Sequence, residues 1–177
     1  MDRLIKLNTE RLYVMPLNED KLELCINNYE KLERSLKFKV TNRKLKEKQK
    51  DVYNIRLKGL KSDPQNYMWS TVWLIVLRDE NRIIGNIMIK GYPNENGEVI
   101  IGYSMEDGYK CRGYMTEALN RIITYIFENP NVEFIVADTL KDNTPSHKVL
   151  VKVGMVKYKE DEECYWWRLG RNKMLRN

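Results

Sequence analysis

The sequence predicts one α/β domain covering residues 1–177, built on a mixed, mostly antiparallel seven-stranded sheet with about four flanking helices. Three observations carry this. The chain of 177 residues suits a single core. Apolar residues at helical spacing alternate with β-branched and aromatic runs bounded by turn residues. No repeat, low-complexity tract or linker divides the chain.

The elements follow in order. Leu4–Val14 opens with the turn-like Asn8-Thr9-Glu10 and continues through Arg11-Leu12-Tyr13-Val14 as a first strand ending at Pro16. Asn18 is a fair N-cap for a helix running from Glu19 to about Phe38, with Leu22, Cys25, Tyr29, Leu32 and Leu36 on one face. Arg43–Leu60 reads as a second, more solvated helix. Trp69–Leu77 and Arg82–Ile89 form a hairpin, and a turn through Gly91, Pro93 and Gly97 leads to a strand over Glu98–Ser104. Thr116–Phe127 is an amphipathic helix stopped near Pro130. Phe134–Thr139 is a strand, Pro145–Val153 a helix closing on Gly154, and strands lie around Met155–Tyr158 and Cys164–Leu169.

Composition narrows the class. Hydrophobic residues make up 42% and charged residues 32%, a balance that excludes a disordered chain. No apolar run is long enough to span a membrane, and Met1-Asp2-Arg3-Leu4-Ile5-Lys6 lacks the apolar core of a signal peptide. The expectation is a cytoplasmic protein without a membrane partner. Cys25, Cys111 and Cys164 are odd in number and widely spaced, so neither a disulfide framework nor a metal site is readable. A net charge of +6 favours an anionic partner such as a phosphate-bearing cofactor. Much of that excess lies between Lys37 and Lys50, read as a solvated helix face; nucleic acid ranks low as a partner.

The chemistry concentrates in Tyr103–Leu119, where a strand passes through a basic loop into a helix. Free amides at a helix start, Gly113 permitting close backbone approach, and charge from Lys110 and Arg112 together make a phosphate or diphosphate site. Neither the GxxxxGK[ST] nor the GxGxxG spacing is present, so a nucleotide triphosphate or dinucleotide loop is not indicated.

Lys110-Cys111-Arg112-Gly113-Tyr114-Met115, followed by Thr116-Glu117-Ala118-Leu119, resembles the acetyl-coenzyme A loop of the GCN5-related N-acetyltransferases, Gln/Arg-x-x-Gly-x-Gly/Ala. Asn143-Thr144-Pro145-Ser146, with Leu150, Lys152, Gly154 and Met155, is similar to that family's Asn-x-x-Ser helix. Thr9-Glu10-Arg11-Leu12 resembles the opening strand of its ribosomal-protein N-terminal acetyltransferase branch (RimJ/RimL-like). Two positions depart from the pattern. Lys110 replaces Gln or Arg, and Met115 replaces a small residue with a side chain that can point outward from a helix start.

The resemblance implies an acetyl-CoA-dependent N-acetyltransferase, without a metal, in which a primary amine attacks the thioester directly. The acceptor would be a protein N-terminus or a small-molecule amine. It implies that Ile101–Met105 and Phe134–Thr139 splay apart, with amides near Tyr103 to Met105 polarising the carbonyl. The cofactor set it assigns is Tyr103, Met105, Lys110, Cys111, Arg112, Gly113, Tyr114, Met115, Thr116, Asn143 and Ser146. Leu150 occupies the place of a tyrosine acid found in much of the family, which passes that role to Ser146. Glu98 is the candidate base, set against a solvated strand-end role. The helices from Glu19 to Leu60 would form the acceptor side.

Other residues carry less. His147 reads as a capping or solvent-facing residue, and Cys111 has no base beside it in sequence. Trp166 and Trp167 alternate on a strand, one toward the core and the other toward a surface or a homodimer partner. Tyr67, Trp69, Trp73 and Tyr92 either line an acceptor cleft or fill core. Two alternatives stay open: a non-catalytic acyl-CoA-binding module, and an RNA- or ribosome-contacting protein using the basic run.

Overall fold

The computed structural model describes residues 5–174; the first residues of the N-terminal segment read above for a leader lie outside that range. Eight strands form one sheet in the order β1-β2-β3-β4-β5-β6-β8-β7. They are β1 (Leu7–Asn8), β2 (Leu12–Pro16), β3 (Val72–Leu77), β4 (Arg82–Ile89), β5 (Glu98–Met105), β6 (Phe134–Leu140), β7 (Val156–Glu160) and β8 (Cys164–Gly170). Every neighbouring pair is antiparallel except β5 and β6. The eighth strand arises because the expected first strand is two. Thr9 accepts a bond from Leu12 N through its hydroxyl and turns the chain, so Leu7 and Asn8 pair back onto Val14 and Tyr13.

The helices also differ from expectation. The Glu19–Phe38 helix is broken into α1 (Glu19–Asn27) and α2 (Tyr29–Ser35). Asn28 leaves the helical region (φ −153°, ψ 87°), and its side chain accepts from Lys31 N to start α2 anew. Asn18 caps α1 through Lys21 N, as the sequence suggests. The helix α3 starts only at Glu47 and ends at Ser62. The basic run from Lys37 to Lys46 is therefore irregular chain and not a helix face. Fully buried Glu33 fixes that segment by accepting from both the Thr41 amide and hydroxyl. Further on lie α4 (Tyr114–Phe127), α5 (Thr144–Lys152) and a terminal turn α6 (Arg171–Met174), with short 3-10 turns at Pro64–Trp69 and Asp107–Tyr109.

The sheet separates two apolar layers. On one face α4 and α5 bury Leu119, Ile122, Ile126 and Leu150 against Ile87, Ile101, Ile135 and Ala137. On the other, α1–α3 bury Leu22, Leu32, Tyr53 and Leu60 against Val72, Leu74 and Val76. Each core aliphatic side chain contributes roughly 1.5–3 kcal/mol by leaving water. Trp73 and Trp69 are core residues, and Tyr92 packs from the surface against Trp69. Trp167 is buried with its indole NH on Thr139 Oγ1, whereas Trp166 faces out and bonds Asp161. No helix among the described residues is long and apolar enough to cross a membrane.

Candidate active site

The sheet opens in one place. β5 and β6 run parallel and pair from Glu98↔Phe134 to Ile101↔Ala137, and then part. β5 continues to Met105 on β4 alone, while β6 continues to Leu140 on β8 alone. Ile100 O accepts from Lys90 N, and Glu106 N donates to Ile84 O, so even-numbered positions turn their peptide groups toward β4. By alternation, the NH and C=O of Tyr103 and Met105 face the gap, a row of peptide groups with no strand opposite. Gly85 lets β4 press against this rim, since a Cβ there would lie 2.6 Å from Ser104 O.

The gap leads to the start of α4. Gly113 caps the helix in the left-handed region (φ 80°), and Cys111 adopts a left-handed φ of 60° two residues earlier. Main-chain amides from Cys111 through Thr116 donate to no acceptor among the described residues; the first closed helical bond is Glu117 N to Gly113 O, 3.0 Å. Such a nest of amides at the positive end of a helix suits a diphosphate. Met115 does not point outward: its side chain is 7% exposed in the α4 core, which leaves the backbone of the loop clear. Arg112 and Lys110 are exposed; Lys110 pairs with Asp107 at 2.6 Å. Cys111 is exposed too.

On the far side, Asn143 caps α5 by accepting from Ser146 N at 3.3 Å. Tyr103 reaches across and donates its hydroxyl to Ser146 O at 3.2 Å, so the structure brings Tyr103 and Ser146 together. Burial raises the Tyr103 phenol to about 12, against the smaller lowering effect of that bond, and it stays protonated at neutral pH. Leu150 is fully buried core. His147 joins Leu140 O through Nε2 and packs on Tyr165 and Trp167, a structural role.

Glu98 is not brought to this place. It sits where β5 and β6 are still paired, its carboxylate accepting from Asn94. At ~3.3 Å per residue it lies roughly 16 Å along the strand from Tyr103.

One support of the loop was missed as a side-chain network. Glu117 accepts from Thr9 Oγ1 (2.6 Å), Arg11 N (2.8 Å) and Arg11 Nε (2.7 Å). Arg11 also donates to Arg112 O at 3.1 Å and lies over the Tyr114 ring. Burial would raise the Glu117 carboxyl, but these donors outweigh it and hold it below its usual range. The signal was present in Thr9-Glu10-Arg11-Leu12 and in an acidic residue in the first helical turn, but nothing in sequence spacing joins them.

A separate cleft of about 500 Å³ lies between α1, α2 and the irregular segment, lined by Cys25, Tyr29, Arg43 and Lys50 among others. Arg43 is turned inward, bonding Glu106 at 2.9 Å, while Glu106 also holds Arg82 at 2.8 Å. Burial pushes the Cys25 thiol up to about 12, which leaves it inert.

A mixed sheet whose single parallel pair parts beside an amide-lined helix start is an acetyltransferase architecture. The chain belongs to the GNAT acetyltransferases: residues 11–156 match the family model for the acetyltransferase (GNAT) domain. It is 33% identical over 95 residues to an uncharacterized N-acetyltransferase of Bacillus subtilis, YjdG, covering 53% of this chain and 56% of that protein. A second B. subtilis relative, YnaD, is 33% identical over 98 residues, covering 52% and 57%. The chain thus spans a little over half the length of these two relatives. Among solved structures, a ribosomal-protein-S5-alanine acetyltransferase from Vibrio fischeri is 19% identical with a TM-score of 0.70, covering 95% of this chain and 97% of that one. RimL, a ribosomal L7/L12 alpha-N-protein acetyltransferase solved in complex with coenzyme A, is 14% identical with a TM-score of 0.68, covering 94% and 98%. These structures share the fold.

Proposed function

We propose that this protein is an acetyl-CoA-dependent N-acetyltransferase, a single domain over residues 1–177, acting on a primary amine of a protein N-terminus or a small molecule. The observation that carries the reading is the parting of β5 and β6 beyond Ile101 and Ala137, directly beside the free amides of Cys111–Thr116. The curated relatives named as N-acetyltransferases and the RimL fold with coenzyme A support it.

In this reading the amides of Cys111, Arg112, Gly113, Tyr114, Met115 and Thr116 hold the diphosphate, with Arg112 and Lys110 adding charge. Peptide groups of Tyr103 and Met105 pair with the pantetheine arm, and one of their NH groups polarises the thioester carbonyl. Acetyl-CoA supplies the activated acyl group. Asn143 fixes the turn that presents Ser146, whose hydroxyl protonates the departing thiolate. Glu98 is given no proton to move, because Asn94 holds it at the closed end of the strands. With Glu98 away from the gap, weakly basic amines are favoured: a lysine amine (pKa ~10.4) costs roughly 4 kcal/mol to neutralise near pH 7.4, an α-amine (~7.8) about half a kcal/mol. A cytoplasmic location and a RimJ/RimL-like branch fit the same reading.

Calorimetric titration with coenzyme A, followed by a thiol-release assay with acetyl-CoA and a panel of amines, tests it. Binding plus amine-dependent thiol release is expected. Absence of any binding heat overturns the proposal, and tight binding without turnover of any amine leaves a regulatory acyl-CoA module instead.

A further inference from the structure

Gly102 and Asp138 are the first positions of β5 and β6 beyond the paired stretch, and so mark the apex of the gap. Ile101, Tyr103, Ile135 and Ala137 turn toward α4. Strand alternation therefore puts Gly102, Ser104 and Asp138 on the opposite face. There Lys90, whose NH bonds Ile100 O, sends its side chain across β5 to Asp138: Nζ to Oδ1 is 3.1 Å. It passes directly over Gly102, where a Cβ would lie 3.2 Å from Lys90 Cε. Ser104 stands exposed on the same rim, held by Asn86 Nδ2 at 2.7 Å. Leu140, 54% exposed, and Trp166, the cross-strand neighbour of Asp138, flank the carboxylate.

The loop and α4 occupy one face of the gap, so an acceptor must approach from the other. On that face the protein already holds a primary ammonium against a carboxylate, one residue from the Tyr103 amide assigned above to the thioester carbonyl. We infer that Asp138 is the acceptor-binding carboxylate, that it takes a primary amine arriving in its protonated form, which releases one proton to solvent before the freed nitrogen attacks the thioester, and that Lys90 is the resident ammonium which the acceptor displaces. The inference rests on the proposed acetyltransferase reading and adds to it the charge of the acceptor. The pair leaves each side chain about a third exposed, 33% for Lys90 and 35% for Asp138. A pair this wet adds little to folding, so variants at either position should fold.

The test compares Asp138→Asn and Lys90→Met in the thiol-release assay. The acceptors are 1,4-diaminobutane, a short peptide with a free N-terminus, and an arylamine that is neutral at pH 7.5; coenzyme A affinity is measured in parallel by calorimetry. Asp138→Asn should raise KM for the cationic amines roughly fivefold or more, with kcat and coenzyme A affinity nearly unchanged. Lys90→Met should lower the same KM about twofold to fivefold, because it removes the competitor. The neutral arylamine should respond to neither. A pair that only braces the strands would shift both variants in one direction; that result, or no shift, overturns the inference. So does turnover of the arylamine with none of any cationic amine, a result that leaves the acetyltransferase reading standing. Loss of coenzyme A binding by the unaltered protein would instead strike the activity itself.

Discussion

Replacing Arg11 by Ala probes whether the diphosphate loop is held from outside. The substitution removes the Arg11 Nε–Glu117 ion pair (2.7 Å), the bond from Nη1 to Arg112 O (3.1 Å) and the stacking over Tyr114 at 4.5 Å. It spares the Arg11 amide and the Thr9 hydroxyl, which keep Glu117 tied to the hairpin. Arg11 is 41% exposed, so its ion pair is worth at most about 1 kcal/mol. The bond to a carbonyl adds roughly 1 kcal/mol and the cation–π contact about 0.5–1 kcal/mol. These terms share one side chain and do not add fully, so about 2 kcal/mol is the expected total. Where that energy holds the loop in its binding shape, coenzyme A affinity falls by about tenfold or more, at ~1.4 kcal/mol per decade. Arg11→Lys keeps the charge but loses the fork and should recover only part. Calorimetry with coenzyme A, paired with thermal melts, reads both quantities. A melt lowered as expected with affinity within about twofold of the unaltered protein would refute the reasoning, leaving Arg11 as a staple of the hairpin and nothing more.

Gly113→Val forces a β-branched residue to φ 80° with its Cβ 3.4 Å from Arg11 Nη2, and should weaken coenzyme A binding at least tenfold in the same titration. Ser146→Ala removes a hydroxyl but not the carbonyl that Tyr103 uses, so kcat should drop by about tenfold to a hundredfold at constant coenzyme A affinity; unchanged kcat removes Ser146 from proton transfer. For Glu117 the folded carboxyl lies below its usual range, so its contribution to stability is present above the unfolded pKa of ~4.3 and is lost as pH falls through the depressed folded value. Melts of the unaltered protein and Glu117→Gln should therefore differ near pH 7 and converge as pH falls below the unfolded value and through the depressed folded one; a constant difference would refute this.

The legible parts of the fold were those with a local cause. Asn18 before an apolar-periodic run set the start of α1, and the Arg82–Ile89 strand lies where β-branched residues predict it. The breaks were illegible for the opposite reason. Asn28 interrupts a continuous apolar face at α1 and α2 only because its own side chain offers Lys31 N a better acceptor than the helix would. The Lys37–Lys46 run has helical composition, yet Arg43 is drawn inward by Glu106 and Tyr29, and Glu33 captures Thr41; tertiary partners override a weak propensity.

The candidate site divides the same way. Gly113 announced itself because a left-handed cap needs glycine, and Asn143 because a cap needs a short acceptor. The groups assigned to the thioester and diphosphate are peptide NH groups, which every residue carries, so neither the edge at Tyr103 and Met105 nor the amides of Cys111–Thr116 leave a mark in residue identity. What identity does record is what keeps those amides free. Met115 shows this best: the residue that departs from the family pattern puts its bulk into the α4 core, so the constraint at that position is room for the backbone, and the side chain can be large provided the core receives it. Tolerance at Met115 and intolerance at Gly113 are then one requirement seen twice, since only the latter has a φ that a side chain resists.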